Sequence, residues 1–273
     1  MKKYWDYLLL VWLALIPWAT VLIIRDAPIE YNKLVLYTSE LLFWLVFVWG
    51  LVARYIPRPN FDWRFYLAAG WLIISLTWAS DILLALQSIR FLALAASMVW
   101  LLQKNSVPRV KQLLALGIGF LPVIGLGVAQ FFLQTTWATK WLGLGAHSVV
   151  EPGTSVVVGE FGRWLRAYGS FPHPNIFGGY LALMVLISAV GIKTNRYRWF
   201  WLVVAGFGCA GLIFTFSRSA WLGLIVALLF GWKYFRDEQL RLWFGVITMT
   251  IAVSVILVWH LIVGRTLLVS VNE

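Results

Sequence analysis

The chain has 273 residues, of which 62% are hydrophobic and only 12% are charged, and its mean hydropathy is +0.84. An apolar fraction this high along the whole length excludes an ordinary soluble domain and indicates a polytopic membrane protein. The net charge of +11 would suggest nucleic-acid binding in a soluble protein. Here we attribute it to membrane topology and expect no nucleic-acid partner.

Nine apolar segments come close to the length of about 20 residues that a helix needs to cross a bilayer. They lie at 8–24, 34–53, 65–79, 88–103, 112–132, 176–192, 199–216, 219–235 and 242–263. The sequence therefore predicts an all-α, polytopic integral membrane protein with a single transmembrane domain over 1–273. The first segment resembles a signal peptide, but its apolar run is too long and no clear cleavage site follows. We interpret it as an uncleaved helix.

The basic residues predict the orientation of these segments. With a cytoplasmic N-terminus, most of the 22 Lys and Arg residues fall on the inner side, as the positive-inside rule requires. Residues 133–175 then form one long extracytoplasmic loop, and a loop of this length in a compact protein is usually functional or disordered. A short hairpin is expected within it, around Gly159–Gly162.

The polar stretch RWLRAYGSFPHPNIFGGYL, residues 163–181, leads directly into the sixth apolar segment. Pro174 suits the first turn of a helix, where its missing N–H would have no partner in any case. His173 or Ser170 is expected to cap this turn, and Asn175 is also a capping type. We interpret His173 as a residue that caps or shapes the loop, with a role as a base as the alternative. The outward N-terminus of this helix is a favourable place for an anion.

Arginines and a glycine precede this helix start. Arg163 and Arg166 lie shortly upstream, close enough to fold over it, and Gly169 permits a tight backbone turn. Guanidinium groups match phosphate oxygens bidentately, so the pattern predicts a phosphate-binding site. The alternative is that these arginines extend to the phosphates of the surrounding lipid.

A second stretch, TFSRSAWLG at 215–223, has the same composition of serine and arginine at a helix start. Ser217, Arg218 and Ser219 form the predicted turn between the seventh and eighth segments. Ser217 or Ser219 is expected to cap the eighth helix, with Arg218 at its tip. Two outward helix N-termini, each with an arginine, predict an electropositive pocket that fits a diphosphate.

Arg90 is a third candidate for this pocket, because it lies within an apolar segment. A charge at that depth is costly and usually faces a cavity or a partner. Asp81 is the alternative explanation, as an ion-pair partner. The single cysteine, Cys209, and the scattered histidines give no metal-binding pattern, and we expect neither a metal nor a cofactor.

The pair RAYGSFPHPNIFGGYL and TFSRSAWLGL resembles the two signature motifs of the O-antigen ligase and polysaccharide polymerase superfamily, with the resemblance covering 160–230. It implies a glycosyltransferase in the bacterial inner membrane that transfers or polymerises glycan from an undecaprenyl-diphosphate carrier at the outer face. Arg166 and Arg218 match motif arginines that would hold the diphosphate, and Asn175 matches the Asn at the helix start. The acceptor would be a lipid, another glycan or a protein.

Members of this superfamily continue into a large extracytoplasmic loop with an essential His. The present chain ends at Glu273, so the resemblance implies a C-terminal truncation, with the general base beyond that residue. Two alternatives are a membrane transporter and a catalytically incomplete protein that binds the lipid diphosphate. The absence of repeats and the scarcity of acidic residues in the apolar segments disfavour a transporter.

Overall fold

The structure is a computed structural model that describes residues 1–18, 20–27, 32–59, 62–139, 141, 143–151, 153–159, 162–193 and 197–231. Most of these residues are helical, as predicted. Four of the helices are long and apolar enough to cross a membrane, which supports a membrane-associated protein. The chain divides into two compact units, 1–16 with 20–112 and 17–19 with 113–273.

The described helices vary widely in length. In chain order they are α1 Lys2–Leu15, α2 Thr38–Val52, α3 Trp63–Ile74, α4 Ile82–Lys104, α5 Arg109–Leu133, α6 Pro174–Lys193, α7 Arg198–Thr215 and α8 Arg218–Gly231. The four candidates for membrane spans are α4, α5, α6 and α7. Their starts and ends lie within a few residues of the predicted segments, except that α4 begins earlier than expected.

Short strands within the described residues form three antiparallel hairpins. The strands are β1 Val21–Arg25, β2 Leu34–Tyr37, β3 Thr135–Thr136, β4 His147–Ser148, β5 Val156–Gly159 and β6 Gly162–Leu165. They pair as β1 with β2, β3 with β4, and β5 with β6. The β5–β6 pair, in which Gly159 lies opposite Gly162, is the hairpin expected within residues 133–175.

The first predicted span, 8–24, is not a continuous helix. α1 ends at Leu15, and Val21–Arg25 is a strand that pairs with β2. Pro17 explains the break, because proline has no N–H to donate to the carbonyl of the preceding helical turn. The β-branched and apolar residues after it then extend instead of coiling.

The described residues do not confirm nine membrane-spanning helices. The segments predicted at 34–53 and 65–79 contain the shorter helices α2 and α3, and a 3₁₀ turn at Ser75–Trp78 follows α3. The segment predicted at 242–263 lies outside the described residues, as does the end of the eighth.

In the first unit, α1 packs on α2 through a tryptophan and a glycine. Trp5 donates its indole N–H to the carbonyl of Val46 at 2.8 Å. The same ring lies against Gly50, where a Cβ atom would come within 2.9 Å of it. The small residue thus lets the two helices approach closely, as is common between membrane helices.

In the second unit, α6 packs on α7 around Trp201, which is fully buried. A Cβ atom at Gly191 would lie 2.4 Å from its indole ring, and one at Gly117 would lie 3.3 Å from it. Phe120, Ile124, Phe177, Leu181, Val185, Leu212 and Leu224 belong to the same core cluster. These side chains join α5, α6, α7 and α8 in one apolar core.

The turn between α7 and α8 is very short, as predicted. Phe216 follows the last residue of α7 with a φ of 49°, a left-handed conformation that is costly for a bulky residue. Its N–H bonds the carbonyl of Ile213 at 3.0 Å, and Ala167 N–H bonds the carbonyl of Phe214 at 2.9 Å. The second bond attaches the segment before α6 to the end of α7.

Candidate functional site

The helix α6 begins at Pro174, and His173 caps its N-terminus. The Nδ1 atom of His173 accepts the backbone N–H of Asn175 at 3.1 Å, and its carbonyl accepts the N–H of Ile176 at 3.0 Å. Ser170 does not cap this helix, because its hydroxyl donates to the carbonyl of Pro17. Of the capping residues considered from the sequence, the structure thus selects His173.

Both ring nitrogens of His173 are engaged in the described structure. Because Nδ1 accepts a hydrogen bond, the proton of the neutral ring resides on Nε2, which donates to Ser155 Oγ at 2.9 Å. Burial lowers the pKa of His173, and the positive charge of Arg166 lowers it further. The geometry therefore supports the capping role and leaves no free ring nitrogen to accept a substrate proton.

The N-terminus of α8 is capped by Ser217. Its buried hydroxyl accepts the N–H of Ala220 at 3.4 Å and lies 3.3 Å from the hydroxyl of Ser219. Arg218, the first residue of α8, is exposed. The residues around each helix start thus predicted the first residues of α6 and α8 correctly.

The N-terminal parts of α6 and α8 are in contact. A Cβ atom at Gly178 would lie 2.8 Å from the Cβ of Ser217 and 3.1 Å from the Cβ of Ala220. Only glycine permits this approach without a shift of one helix. Since each helix N-terminus bears a partial positive charge, their proximity concentrates positive potential at one place.

Arg166 connects the end of α7 to the first turn of α6. Its Nε donates to the carbonyl of Thr215, the last residue of α7, and its Nη2 donates to Oδ1 of Asn175, each at 2.6 Å. A guanidinium has five N–H donors, and both N–H groups of Nη1 and the second one of Nη2 have no hydrogen-bond partner among the described residues. The guanidinium is therefore oriented by two neutral acceptors while part of its donor fork stays available.

The positive charge of Arg166 is not balanced by an ion pair among the described residues, none of whose carboxylates lies within 4.0 Å of it. Burial lowers the pKa of Arg166, the Tyr168 hydroxyl acts in the opposite direction, and the charge of Arg218 lowers it further. The two guanidinium groups thus repel each other. An anion between them would relieve that repulsion.

The segment that carries Arg166 is held by a buried amide in α5. Gln130 Oε1 accepts the N–H groups of Tyr168 at 3.2 Å and Gly169 at 2.8 Å. Its Nε2 donates to the carbonyl of Gly169 at 2.9 Å. One side chain therefore satisfies three backbone groups of a buried turn, which would otherwise each be costly.

Gly169 itself is required by this turn. Its φ is +61°, and a Cβ atom there would lie 2.9 Å from the ring of Phe177. Phe177 is fully buried beneath it. The expectation that Gly169 permits a tight turn therefore matches the described backbone.

Within the second unit, the structure separates Arg163 from Arg166. Arg163 lies in β6 and is exposed. Because side chains alternate along a strand, Arg163 and Arg166 point to opposite faces. Arg166 and Arg218 remain as the pair that the described structure brings into electrostatic range.

Arg90 lies in the first compact unit, in α4, and has its own carboxylate partner. Its Nε is 2.9 Å from Oε1 of Glu40, and its Nη2 donates to the carbonyl of Val35 at 2.5 Å. Asp81, the partner considered from the sequence, instead pairs with Arg25 at 2.5 Å. The geometry thus gives Arg90 a structural role in holding β2 and α2 to α4.

Three contributors to the site were missed from the sequence: the Gln130 side chain, the Ser155 hydroxyl and the Thr215 carbonyl. Gln130 carried a usable signal, because an amide inside an apolar segment requires internal partners. A backbone carbonyl, such as that of Thr215, carries no such signal in the sequence.

The described residues contain no group of three or more His, Cys, Asp or Glu side chains placed to hold a metal ion. Comparison of the chain with protein-family models, with curated proteins and with solved structures gives no match. The side chains of the site itself therefore carry the functional argument.

Proposed function

We propose that the chain is a membrane glycosyltransferase of bacterial cell-surface polysaccharide assembly, similar to the O-antigen ligases and polymerases. Its donor is an undecaprenyl-diphosphate-linked glycan at the outer face of the inner membrane, and its N-terminus is cytoplasmic. The observation that carries the proposal is the environment of Arg166. This guanidinium is fixed at two helix ends, has no carboxylate partner among the described residues, and lies in electrostatic range of Arg218.

The chemistry of such a site suits a diphosphate. The N–H groups of Arg166 that lack a partner within the described residues can donate to one phosphate, since guanidinium groups bind phosphate oxygens in pairs. Arg218 stands at the start of α8, where the helix dipole adds to its charge. Donors that are held in place before the reaction stabilise charge that develops on a leaving group.

In the proposed reaction, an acceptor hydroxyl oxygen forms a bond to the anomeric carbon of the donor sugar. The bond from that carbon to the diphosphate oxygen breaks, and the diphosphate leaves with the electron pair. The hydroxyl proton passes to a general base. His173 is not that base in the described arrangement, because both of its ring nitrogens are engaged.

That observation favours a second candidate, a protein that binds the lipid diphosphate without transferring its glycan. The two candidates share the Arg166 site and differ in the presence of a base. They are separated by measuring binding and transfer on the same preparation.

The test uses the full chain in lipid nanodiscs. Binding of undecaprenyl diphosphate is measured against undecaprenol, which has the same tail but no phosphate, and transfer is measured from a glycosylated carrier to lipid, glycan and peptide acceptors. We expect selective binding of the diphosphate, and a loss of about tenfold or more in affinity for Arg166→Ala, as for a charged hydrogen bond. Arg166→Lys should restore little, because lysine lacks the planar fork.

Arg109→Ala is the matched control for Arg218→Ala, because Arg109 is also an exposed arginine at the first residue of a helix. We expect weaker diphosphate binding for Arg218→Ala and wild-type binding for Arg109→Ala. Equal binding of the diphosphate and of undecaprenol by the wild-type protein would contradict both candidates. Binding of the diphosphate without transfer of glycan would support the second candidate, the protein that only binds.

A further inference from the structure

We propose that Trp164 is the platform on which the first sugar of the donor rests, next to the diphosphate that Arg166 holds. The inference rests on the proposed function and deepens it, because it assigns a sugar subsite to a residue that lies outside the two motifs. It makes Trp164 a positioning residue for the glycan part of the donor.

Trp164 and Arg166 lie on the same face of the β5–β6 hairpin. Trp164 pairs with Val157 in the ladder, and the N–H of Arg166 bonds the carbonyl of Ser155 at 3.3 Å, which continues the ladder by one residue. Residues two apart on a strand share a face and have Cα atoms about 7 Å apart. A phosphate and the sugar attached to it can bridge that distance.

The indole ring is supported from one side. Its centroid is 5.8 Å from that of Phe131 with an interplanar angle of 30°, and Phe131 stacks on Phe214 at 4.6 Å with the same angle. The carbonyl of Phe214 accepts the N–H of Ala167, next to Arg166. The ring is thus held in a fixed relation to the guanidinium.

Part of the Trp164 side chain remains accessible, because the residue is 37% exposed. The π face of an aromatic ring carries negative charge density and attracts groups with positive partial charge. The C–H groups on the apolar face of a pyranose are such groups. A supported and partly open indole beside an anion-binding arginine therefore matches a sugar that is joined directly to a phosphate.

A second explanation for an exposed tryptophan is anchoring at the membrane surface. Trp137 follows the strand β3 and is 44% exposed, so it is a control of similar exposure outside the β5–β6 hairpin. An anchoring role predicts similar behaviour for the two tryptophans. A sugar platform predicts a difference that depends on the glycan.

The experiment measures two affinities for each variant in nanodiscs, for undecaprenyl diphosphate and for undecaprenyl diphosphate carrying one N-acetylglucosamine. We expect Trp164→Leu to weaken binding of the glycosylated probe by about two- to tenfold and to leave binding of the bare diphosphate unchanged. Trp164→Phe should retain part of the sugar-dependent affinity. Trp137→Leu should change neither affinity.

Thermal unfolding of each variant identifies a general loss of structure, and Trp164→Phe preserves an aromatic ring on Phe131 if the leucine variant does not fold. An equal loss of affinity for both probes, or no loss for either, would overturn the sugar platform but would not contradict the proposed diphosphate site. Failure of the wild-type protein to bind either probe more tightly than undecaprenol would overturn the proposed function and this inference together.

Discussion

Arg166 and Asn175 are joined by a hydrogen bond of 2.6 Å from Nη2 to Oδ1. The bond connects the segment after β6 to the first turn of α6. Its acceptor is an amide, which orients a guanidinium as a carboxylate would but does not cancel its charge. The site thus combines a fixed direction with a positive group that has no carboxylate partner in the described part of the chain, and replacing that amide tests whether the charge matters.

Asn175→Asp should weaken diphosphate binding by about tenfold at low ionic strength, because a carboxylate would pair with Arg166 and occupy it. The same change should raise stability by about 0.5 kcal/mol, since an acidic side chain is favourable in the first turn of a helix. The measurement is affinity for undecaprenyl diphosphate together with thermal unfolding. A variant that binds as tightly as wild type would show that the Arg166 charge is not used.

Gly169→Ala should lower the free energy of unfolding by about 1–3 kcal/mol. Its φ of +61° is unfavourable for alanine, and the added methyl group would meet the ring of Phe177. Gly179→Ala is the matched control, because no atom lies within 4 Å of a Cβ placed there. In that helical position alanine should be neutral or slightly stabilising. Similar unfolding temperatures for the two variants would contradict the described turn.

The stability of the second unit should decrease as the pH falls below about 6.5, the pKa of an unperturbed histidine. Burial lowers the pKa of His173 in the folded state, so the unfolded chain binds the proton more readily. The stabilisation is present above about 6.5 and is lost as the pH falls through the folded-state pKa. His147, whose pKa is also lowered by burial, contributes in the same direction.

His173→Asn separates these two histidines. Asparagine is a preferred helix cap that does not titrate in this range, so it should preserve the start of α6. The unfolding temperature of this variant should depend less on pH between 7.5 and 5 than that of wild type, with the remaining slope due to His147. An unchanged pH dependence would show that His173 does not contribute to the loss of stability at low pH.

Glu40→Leu should destabilise the protein by about 3 kcal/mol, because it leaves Arg90 without its carboxylate. The double variant Glu40→Leu with Arg90→Leu should recover most of that loss, since no unpaired charge remains. Unfolding is measured in detergent for both variants. Neither change should alter affinity for undecaprenyl diphosphate. A selective loss of binding in the double variant would indicate that Arg90 belongs to the anion site.

Local chemistry accounts for the parts of the site that the sequence predicts well. Pro174 at the first turn of α6, Ser217 before α8 and the hairpin at Gly159–Gly162 depend on residues within a few positions. Each follows from the preference of one residue type for one backbone conformation. Such preferences operate without knowledge of the rest of the fold.

The remainder depends on contacts between distant parts of the chain. Gln130 reaches Gly169 across 39 residues, and Arg166 reaches the carbonyl of Thr215 across 49. The pairing of Val21–Arg25 with β2 replaced a helix because two apolar strands became partners, which hydropathy alone does not distinguish from a span. The ion pair of Arg90 with Glu40 also depends on a contact between residues that are far apart in the sequence.

Because of the left-handed turn at Phe216, the geometry of the site depends more on the number of residues in this turn than on their types. Between the Thr215 carbonyl, which orients Arg166, and Arg218 there is room for two residues only. One inserted residue would lengthen this turn and move Arg218 relative to the Thr215 carbonyl. Both helices would remain equally apolar, yet the two cations would no longer keep their present spacing. Insertions and deletions in this turn should therefore affect the site more than conservative substitutions within it.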